Sequence, residues 1–292
     1  MVIFYRRLPK FEYIKPESQN MLFEILSDNK NCSVYAGGTD LIPKLKKRLI
    51  KPPDVLIDLK GLNELDYIKI EGGTLKIGAL STIYSVATSK IVIEKFNILS
   101  QAAKSIAAFQ IQNRGTIVGN ICNAVPSADS APALLVLNAK LNIKKKDGSR
   151  KVNIDEFFIG PNKTVLDKDE IVTEVEISEV PSSFKGIYYK LSTRGKMDLA
   201  TVGVAVLLGS DNGRFSDIRI GLGAVAPTPI RAKRAEELLK GEKINKELIN
   251  NAARIASDES SPIDDHRASA TYRKIMVETL VKRAICRLTE VG

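Results

Sequence analysis

Two short runs of small residues are the parts of this chain best suited to holding a ligand. The first reads Tyr35-Ala-Gly-Gly-Thr-Asp-Leu41; the second opens at Gly115, 75 residues after Asp40, as Gly115-Thr-Ile-Val-Gly-Asn120. Glycines let a backbone turn tightly and approach a ligand closely, and a turn leading into a helix leaves amide N–H groups free to meet an anion. Thr39 and Asp40 are candidate caps after the first turn, and Thr116 and Asn120 bring hydrogen-bonding side chains to the second. Asp129, nine residues after Asn120, stands where it can accept a ribose hydroxyl or cap the next helix. Two such turns, far apart in sequence, predict two walls of one cleft around a diphosphate. Neither Gly-x-Gly-x-x-Gly nor Gly-Lys-Ser/Thr occurs in the first run, so a Rossmann site and a P-loop are not indicated.

Hydrophobic periodicity supplies the elements that position these turns. Apolar residues at Met21, Leu22, Ile25 and Leu26 predict a helix over 18–28, and a strand over 33–36 runs into Gly37-Gly38. A helix carrying Leu41, Leu45 and Leu49 follows, stopped by Pro52-Pro53, and 54–59 is the next strand. A hairpin turns at Gly72-Gly73, and a mostly helical stretch runs from Thr82 to about Ala108. Ser127 or Asp129 caps a helix with Pro132 in its first turn. Strands occupy 141–145, 151–154 and 171–177, with Asp147-Gly148 as a hairpin tip. After a polar boundary at 180–186 come strands at 187–192, 200–208 and 217–225. Helices follow at 230–240, 246–256 and 268–288, the last with Tyr272, Ile275, Met276, Leu280 and Ile285 on its apolar side. Strands followed by helices indicate an α+β arrangement.

Composition narrows the chemistry. At 44% hydrophobic and 27% charged, the 292-residue chain reads as a globular protein with no membrane span, since no apolar run reaches roughly 18 residues. The start, Met1 to Arg7, shows no export signal, and three scattered cysteines without Cys-x-x-Cys fit a reducing cytoplasm. Those cysteines and the single His266 argue against a metal site, an iron–sulfur cluster or a Ser–His triad on this chain. The net charge of +10 gathers at Lys44–Lys51 and Lys144–Lys151 without interleaved aromatics, which argues against nucleic acid.

Several ordered motifs together resemble a known family. Ala36-Gly-Gly-Thr-Asp-Leu41, Gly119-Asn-Ile-Cys-Asn123 with Ser127-Ala-Asp-Ser-Ala131, Ala226-Pro-Thr-Pro-Ile-Arg231, the run from Lys190 to Ala200 and Arg267-Ala-Ser-Ala-Thr-Tyr-Arg273 look like the FAD-binding medium subunits of molybdenum hydroxylases. The likeness covers essentially the whole chain and is nearest to the flavin subunit of bacterial xanthine dehydrogenases, with carbon monoxide dehydrogenase medium subunits as relatives. It implies an α+β fold: a PCMH-type FAD-binding domain of two α/β subdomains over 1–178, then a C-terminal domain over 184–290 with a three-stranded antiparallel sheet and helices. It implies non-covalent FAD, gripped at its pyrophosphate by Ser33, Val34, Tyr35, Ala36, Gly37, Gly38, Thr39 and Asp40, and by Thr116, Ile117, Val118, Gly119 and Asn120. Asp129 matches the ribose-side aspartate, Ile171 or its neighbour Val172 a hydrophobic backbone position, and Lys190 a lysine near the isoalloxazine. Tyr188 or Tyr189 would flank the ring. Val118 and Gln112 depart from the family, which usually has glycine and arginine there.

The resemblance further implies that this chain has no catalytic residue of its own. A molybdopterin-binding large subunit would hydroxylate the substrate, and a [2Fe–2S] small subunit would pass electrons singly to FAD. The flavin would deliver a pair to an acceptor, NAD⁺ being the candidate. The first reading is a xanthine dehydrogenase type. The alternatives are a flavin subunit of a carbon monoxide or aldehyde/N-heterocycle dehydrogenase, a self-contained flavin oxidase, and a nucleotide-binding scaffold that has lost flavin. On this reading Asp129→Ala weakens FAD retention without unfolding the chain.

Overall fold

A computed structural model describes residues 7–28, 31–195 and 197–291. Most of the N-terminal segment read for an export signal (residues 1–6) and Lys196 lie outside the described residues. The chain begins with β1 (Glu12–Ile14), α1 (Gln19–Ser27), β2 (Cys32–Tyr35), α2 (Leu41–Lys47) and β3 (Val55–Asp58). The three strands form a parallel sheet in the order β1-β3-β2. All four residues of β3 are buried: Val55, Leu56 and Ile57 as the apolar run of a middle strand in a parallel sheet, and Asp58 as a buried carboxylate at its end. Ser18 caps α1 by accepting the Met21 amide at 3.3 Å, and Leu22, Phe23 and Leu26 form its buried face.

The next stretch holds β4 (Ile68–Glu71), β5 (Thr74–Gly78), α3 (Ile83–Thr88), α4 (Lys90–Lys95), α5 (Asn97–Lys104), α6 (Phe109–Gln112), α7 (Ile117–Cys122) and α8 (Ser130–Val136). It continues through β6 (Lys140–Lys145), β7 (Gly148–Asn153), α9 (Ile154–Phe157), β8 (Phe158–Gly160), β9 (Lys163–Thr164) and β10 (Ile171–Ser178). Five of these strands make an antiparallel sheet in the order β4-β5-β10-β6-β7. The expected long helical stretch from Thr82 to Ala108 is three short helices, α3 to α5. The chain leaves helical geometry at Ser89 (ψ 124°) and again at Phe96 (φ −136°), where it folds the apolar residues of each piece into the core.

The C-terminal part comprises β11 (Lys185–Leu191), β12 (Val202–Asp211), β13 (Arg214–Gly223), β14 (Ile230–Arg231), α10 (Lys233–Leu239), α11 (Lys246–Glu259) and α12 (Ala270–Thr289). Its antiparallel sheet has the three expected long strands plus the two-residue β14 at the edge, so the helix read over 230–240 begins at Lys233. Strand alternation in β12 sends Val202, Val204, Val206 and Leu208 to a core shared with α10 to α12. Ala205 and Leu207 go instead to the core of the preceding domain. The sheet is therefore buried on both faces, with α8 against one of them. A Cβ on Gly221 of β13 would lie 2.5 Å from the Pro132 carbonyl oxygen of α8.

On α12 the buried stripe is Arg273, Val277, Leu280, Val281, Ala284 and Ile285. Tyr272 and Ile275, expected on the apolar side, are 46% and 55% exposed. At 3.6 residues per turn Ile275 falls nearly opposite the centre of that stripe, and Tyr272 well outside it. Among the described residues no helix is long and apolar enough to cross a membrane.

Candidate functional site

The two glycine turns meet. β2 ends at Tyr35, and Gly37 with Gly38 (φ +72°) turns the chain into α2. A Cβ on Gly37 would stand 1.8 Å from the Arg114 carbonyl oxygen and 2.8 Å from the Gly115 Cα, so the two backbones touch where only glycine fits. The second turn is pinned in its own right: the Ile83 amide donates to the Gly115 carbonyl at 2.9 Å, and Thr82 pairs with Thr116. Beside this contact lies a cleft of about 470 Å³, within the roughly 300–1,000 Å³ of small-molecule and cofactor sites.

Every residue from Val34 to Asp40 lines the cleft, as do Thr116, Val118, Gly119, Asn120 and Ile171, with Val172 beside it. Among the described residues the amides of Gly37, Gly38, Thr39 and Asp40 donate to no backbone or side-chain acceptor, which is the donor set an anionic ligand requires. Thr116 caps α7 by accepting the Gly119 amide at 2.9 Å, and the Ser130 hydroxyl donates to Asn120 Oδ1 at 2.6 Å. Ser33 and Ile117 do not line the cleft, and Ile117 is fully buried in the core behind it. Val118 is 5% exposed and packs in that core, so its side chain is absorbed there while its backbone stays on the wall. Asp40 does not cap α2 with its side chain. Its backbone is helical (φ −104°, ψ −49°), not extended, which keeps the carboxylate from turning back to the first amides.

Lys44, in the second turn of α2, also lines the cleft, and its Nζ donates to Asn123 Oδ1 at 2.6 Å and Asn162 Oδ1 at 3.4 Å. It thus joins the helices that follow both turns. In the sequence it stood only within a lysine cluster, because its amide partners lie 79 and 118 residues away. Cys122 also lines the cleft, half-buried, and desolvation pushes its thiol up to about 12.

The first turn is held from behind by β3. Asp58, 3% exposed, accepts the hydroxyls of Tyr13 (2.7 Å) and Tyr35 (2.9 Å) and the Lys60 ammonium (2.6 Å). Burial raises the Asp58 carboxyl, but Lys60 and the two phenols outweigh it and hold it below its ordinary value. The Lys60 Nζ also donates to the Ala36 carbonyl at 2.9 Å and sits 4.1 Å from the centre of the Tyr35 ring. Gln112 has a comparable task before the second turn, donating to the carbonyls of Lys104 (3.2 Å) and Ile106 (2.7 Å). It fixes a tight bend in which Ala107 takes φ +45°, a conformation that costs a non-glycine residue roughly 1 kcal/mol.

Asp129 and Lys190 are brought to each other. Lys190 Nζ lies 2.9 Å from Asp129 Oδ2, with side-chain exposures of 5% and 7%, and also donates to the Ser105 carbonyl at 3.0 Å. Tyr188 donates its hydroxyl to Asp129 Oδ1 at 2.8 Å. Burial raises the Asp129 carboxyl, against the lowering effect of Lys190 and Tyr188. Asp129 makes no side-chain cap bond to α8. Neither Asp129 nor Lys190 lines the cleft, yet each adjoins it: Asp129 precedes Ser130, which holds Asn120, and Ser105 precedes the cleft residue Ile106. Of the tyrosine pair, Tyr188 turns to this cluster and Tyr189 packs with the C-terminal core.

Comparison with known proteins gives consistent matches. Residues 9–180 match the family described as FAD binding domain in molybdopterin dehydrogenase, and residues 187–288 match the CO dehydrogenase flavoprotein C-terminal domain. The chain is 36% identical to the glyceraldehyde dehydrogenase medium chain of Sulfolobus acidocaldarius, over 94% of this chain and 97% of that one. It is 35% identical to the xanthine dehydrogenase FAD-binding subunit of Escherichia coli, over 89% and 90%. A solved carbon monoxide dehydrogenase from Hydrogenophaga pseudoflava superimposes with a TM-score of 0.92 at 35% identity, covering 96% of this chain and 97% of that one.

Proposed function

The chain belongs to the FAD-binding medium subunits of the molybdenum hydroxylase family, and from that premise we propose that it is the electron-transfer subunit of a hydroxylase complex. One observation carries the reading: Gly37 touches Arg114 and Gly115, so two remote glycine turns present their backbones to a single cleft. The donors fit a diphosphate. Four unengaged amides at residues 37–40 lie on one wall, and Lys44, which has no carboxylate partner among the described residues, supplies a cation. Thr116, Val118, Gly119 and Asn120 line the same cleft, and Ile171 with Val172 gives apolar surface for the planar ring. Asp129 keeps lone pairs for a ribose hydroxyl beyond those taken by Tyr188 and Lys190, and Lys190 serves the ring end. Bound FAD supplies the redox chemistry that side chains lack, and the protein supplies orientation and electrostatics.

In this reading a [2Fe–2S] small subunit feeds the flavin, a molybdopterin-binding large subunit turns over the substrate, and NAD⁺ is the terminal acceptor, in the cytoplasm. We divide the chain into 1–178 and 184–290; the second buried cluster, drawn wholly from Val202 to Ile285, supports that division, while Tyr188, Ala205 and Leu207 pack into the first. The first reading of the substrate is a xanthine dehydrogenase type. An aldehyde dehydrogenase type is the second, favoured by the 36% identity to the glyceraldehyde dehydrogenase chain. A one-point difference in identity does not separate them, because the substrate would meet another polypeptide. The test is the colour and composition of the purified chain: yellow, with FAD released intact on denaturation. A colourless protein that takes up no added FAD would overturn the proposal. Assay of the co-expressed complex on xanthine, glyceraldehyde and carbon monoxide then assigns the type, and NAD⁺ reduction tests the acceptor.

A further inference from the structure

We infer that Lys60 is a positioning residue that aims the Gly37 amide into the diphosphate site; this rests on the reading that the first glycine turn grips that diphosphate. Lys60 sits in the tight turn Leu59–Gly61 directly after β3, where its own amide donates to Asp58 Oδ1 at 2.9 Å. Its Nζ reaches Asp58 Oδ1, at the end of β3, and the Ala36 carbonyl, just after β2, together. Ala36 and Gly37 line the cleft and Lys60 does not, so the carbonyl of Ala36 is engaged from outside the ligand space. The peptide joining Ala36 to Gly37 is trans, as all peptides of the described residues are. In a trans peptide C=O and N–H lie on opposite sides of the C–N bond. Holding the Ala36 oxygen away from the cleft therefore turns the Gly37 N–H toward it, and that amide has no protein acceptor. An ammonium on the carbonyl also polarises the peptide and strengthens its N–H as a donor.

The charge of Lys60 is balanced by Asp58, so the ion pair adds no net charge to the site and its contribution is directional. Asp58 is in turn fixed by the hydroxyls of Tyr13 and Tyr35. The arrangement predicts an effect confined to the diphosphate half of the ligand.

The test compares wild type, Lys60→Met, Lys60→Arg and Gly37→Ala in the flavin-free protein, titrated with FAD, ADP and riboflavin. Lys60→Met is expected to weaken FAD and ADP by the same factor, about tenfold for one misdirected amide–phosphate hydrogen bond. Riboflavin binding should stay unchanged, and Lys60→Arg should restore most of the loss. Should Lys60→Met fail to fold, Lys60→Gln, whose tip stops short of Ala36, gives the same comparison. Unchanged FAD and ADP binding in the lysine variants, with binding lost in Gly37→Ala, would overturn the role of Lys60 and leave the diphosphate reading standing. Equal loss of all three ligands with a lowered melting temperature would reduce Lys60 to a structural part. Wild type that binds neither FAD nor ADP would remove the diphosphate reading and this inference with it.

Discussion

Asp129 shows how a residue's surroundings change what its removal means. Read as an isolated acceptor, it could be lost at no cost to folding. In the structure it is buried, accepts the Tyr188 hydroxyl and faces the ammonium of Lys190. Asp129→Ala strands a buried phenol and takes the carboxylate from a buried cation, so it should cost about 3 kcal/mol of stability as well as flavin. Urea denaturation of the flavin-free variant checks this, and a midpoint equal to wild type would restore the simpler expectation. Changing Lys190 to Met alongside should recover much of the loss, because removing both charges abolishes the desolvation penalty. Gln112 makes the same point without charge. Its departure from the family's arginine looks like a defect in the binding turn, yet its amide holds two carbonyls of the strained bend at Ala107.

Short elements carry the site, and their caps matter more than their length. α7 has six residues, too few to persist alone, and its start is fixed by the Thr116 hydroxyl on the Gly119 amide. Thr116→Ala should therefore cost about 1 kcal/mol and loosen the cleft wall that Gly119 and Asn120 form. The measurement is a lower thermal midpoint in the flavin-free protein together with faster FAD release; neither changing would mean that core packing alone sets the helix. α2 is held differently. It has no side-chain cap at Asp40, and Lys44 ties it across to Asn123, at the end of α7. Glycine positions and strand alternation made these elements visible in advance, since a positive φ or a two-residue period leaves a local mark. Lys44, Asp58 and Lys60 were not visible, because a lysine facing a cleft and a lysine facing solvent have the same local sequence.

At the scale of the molecule, the C-terminal sheet is wedged between α8 and the last three helices, and one ionic knot closes that assembly. Asp265 accepts Arg267 and Arg273, while Arg273, 2% exposed, donates to the carbonyls of Thr201 (3.0 Å) and Ala224 (2.9 Å) at the ends of β12 and β13. The Ala224 amide in turn donates to Pro126 in the first domain at 2.7 Å. The Arg267 side chain, with its amide and Arg273, holds the Asp265 carboxyl well below its usual value, against burial. A carboxylate lowered in the folded state stabilises fully above its unfolded value of about 3.9. That contribution drains as pH falls from there through the folded value. Denaturation midpoints should therefore fall more steeply between about pH 5 and pH 2 in wild type than in Asp265→Asn. Parallel curves would show that the knot is not what acid undoes.

The sequence by itself determined the two glycine turns, the order of strands and helices around them, and a set of motifs sufficient to indicate the family. All of these are written in neighbouring residues, through φ preferences and periodicity. Only the tertiary structure decided that Gly37 rests on Arg114, that Asp129 is matched with Lys190, that Tyr272 and Ile275 face outward on α12, and that Lys60 grips Ala36 from behind. Each of those depends on how separately specified pieces are set against one another. Packing fixes that relation across tens of residues, and no local pattern records it.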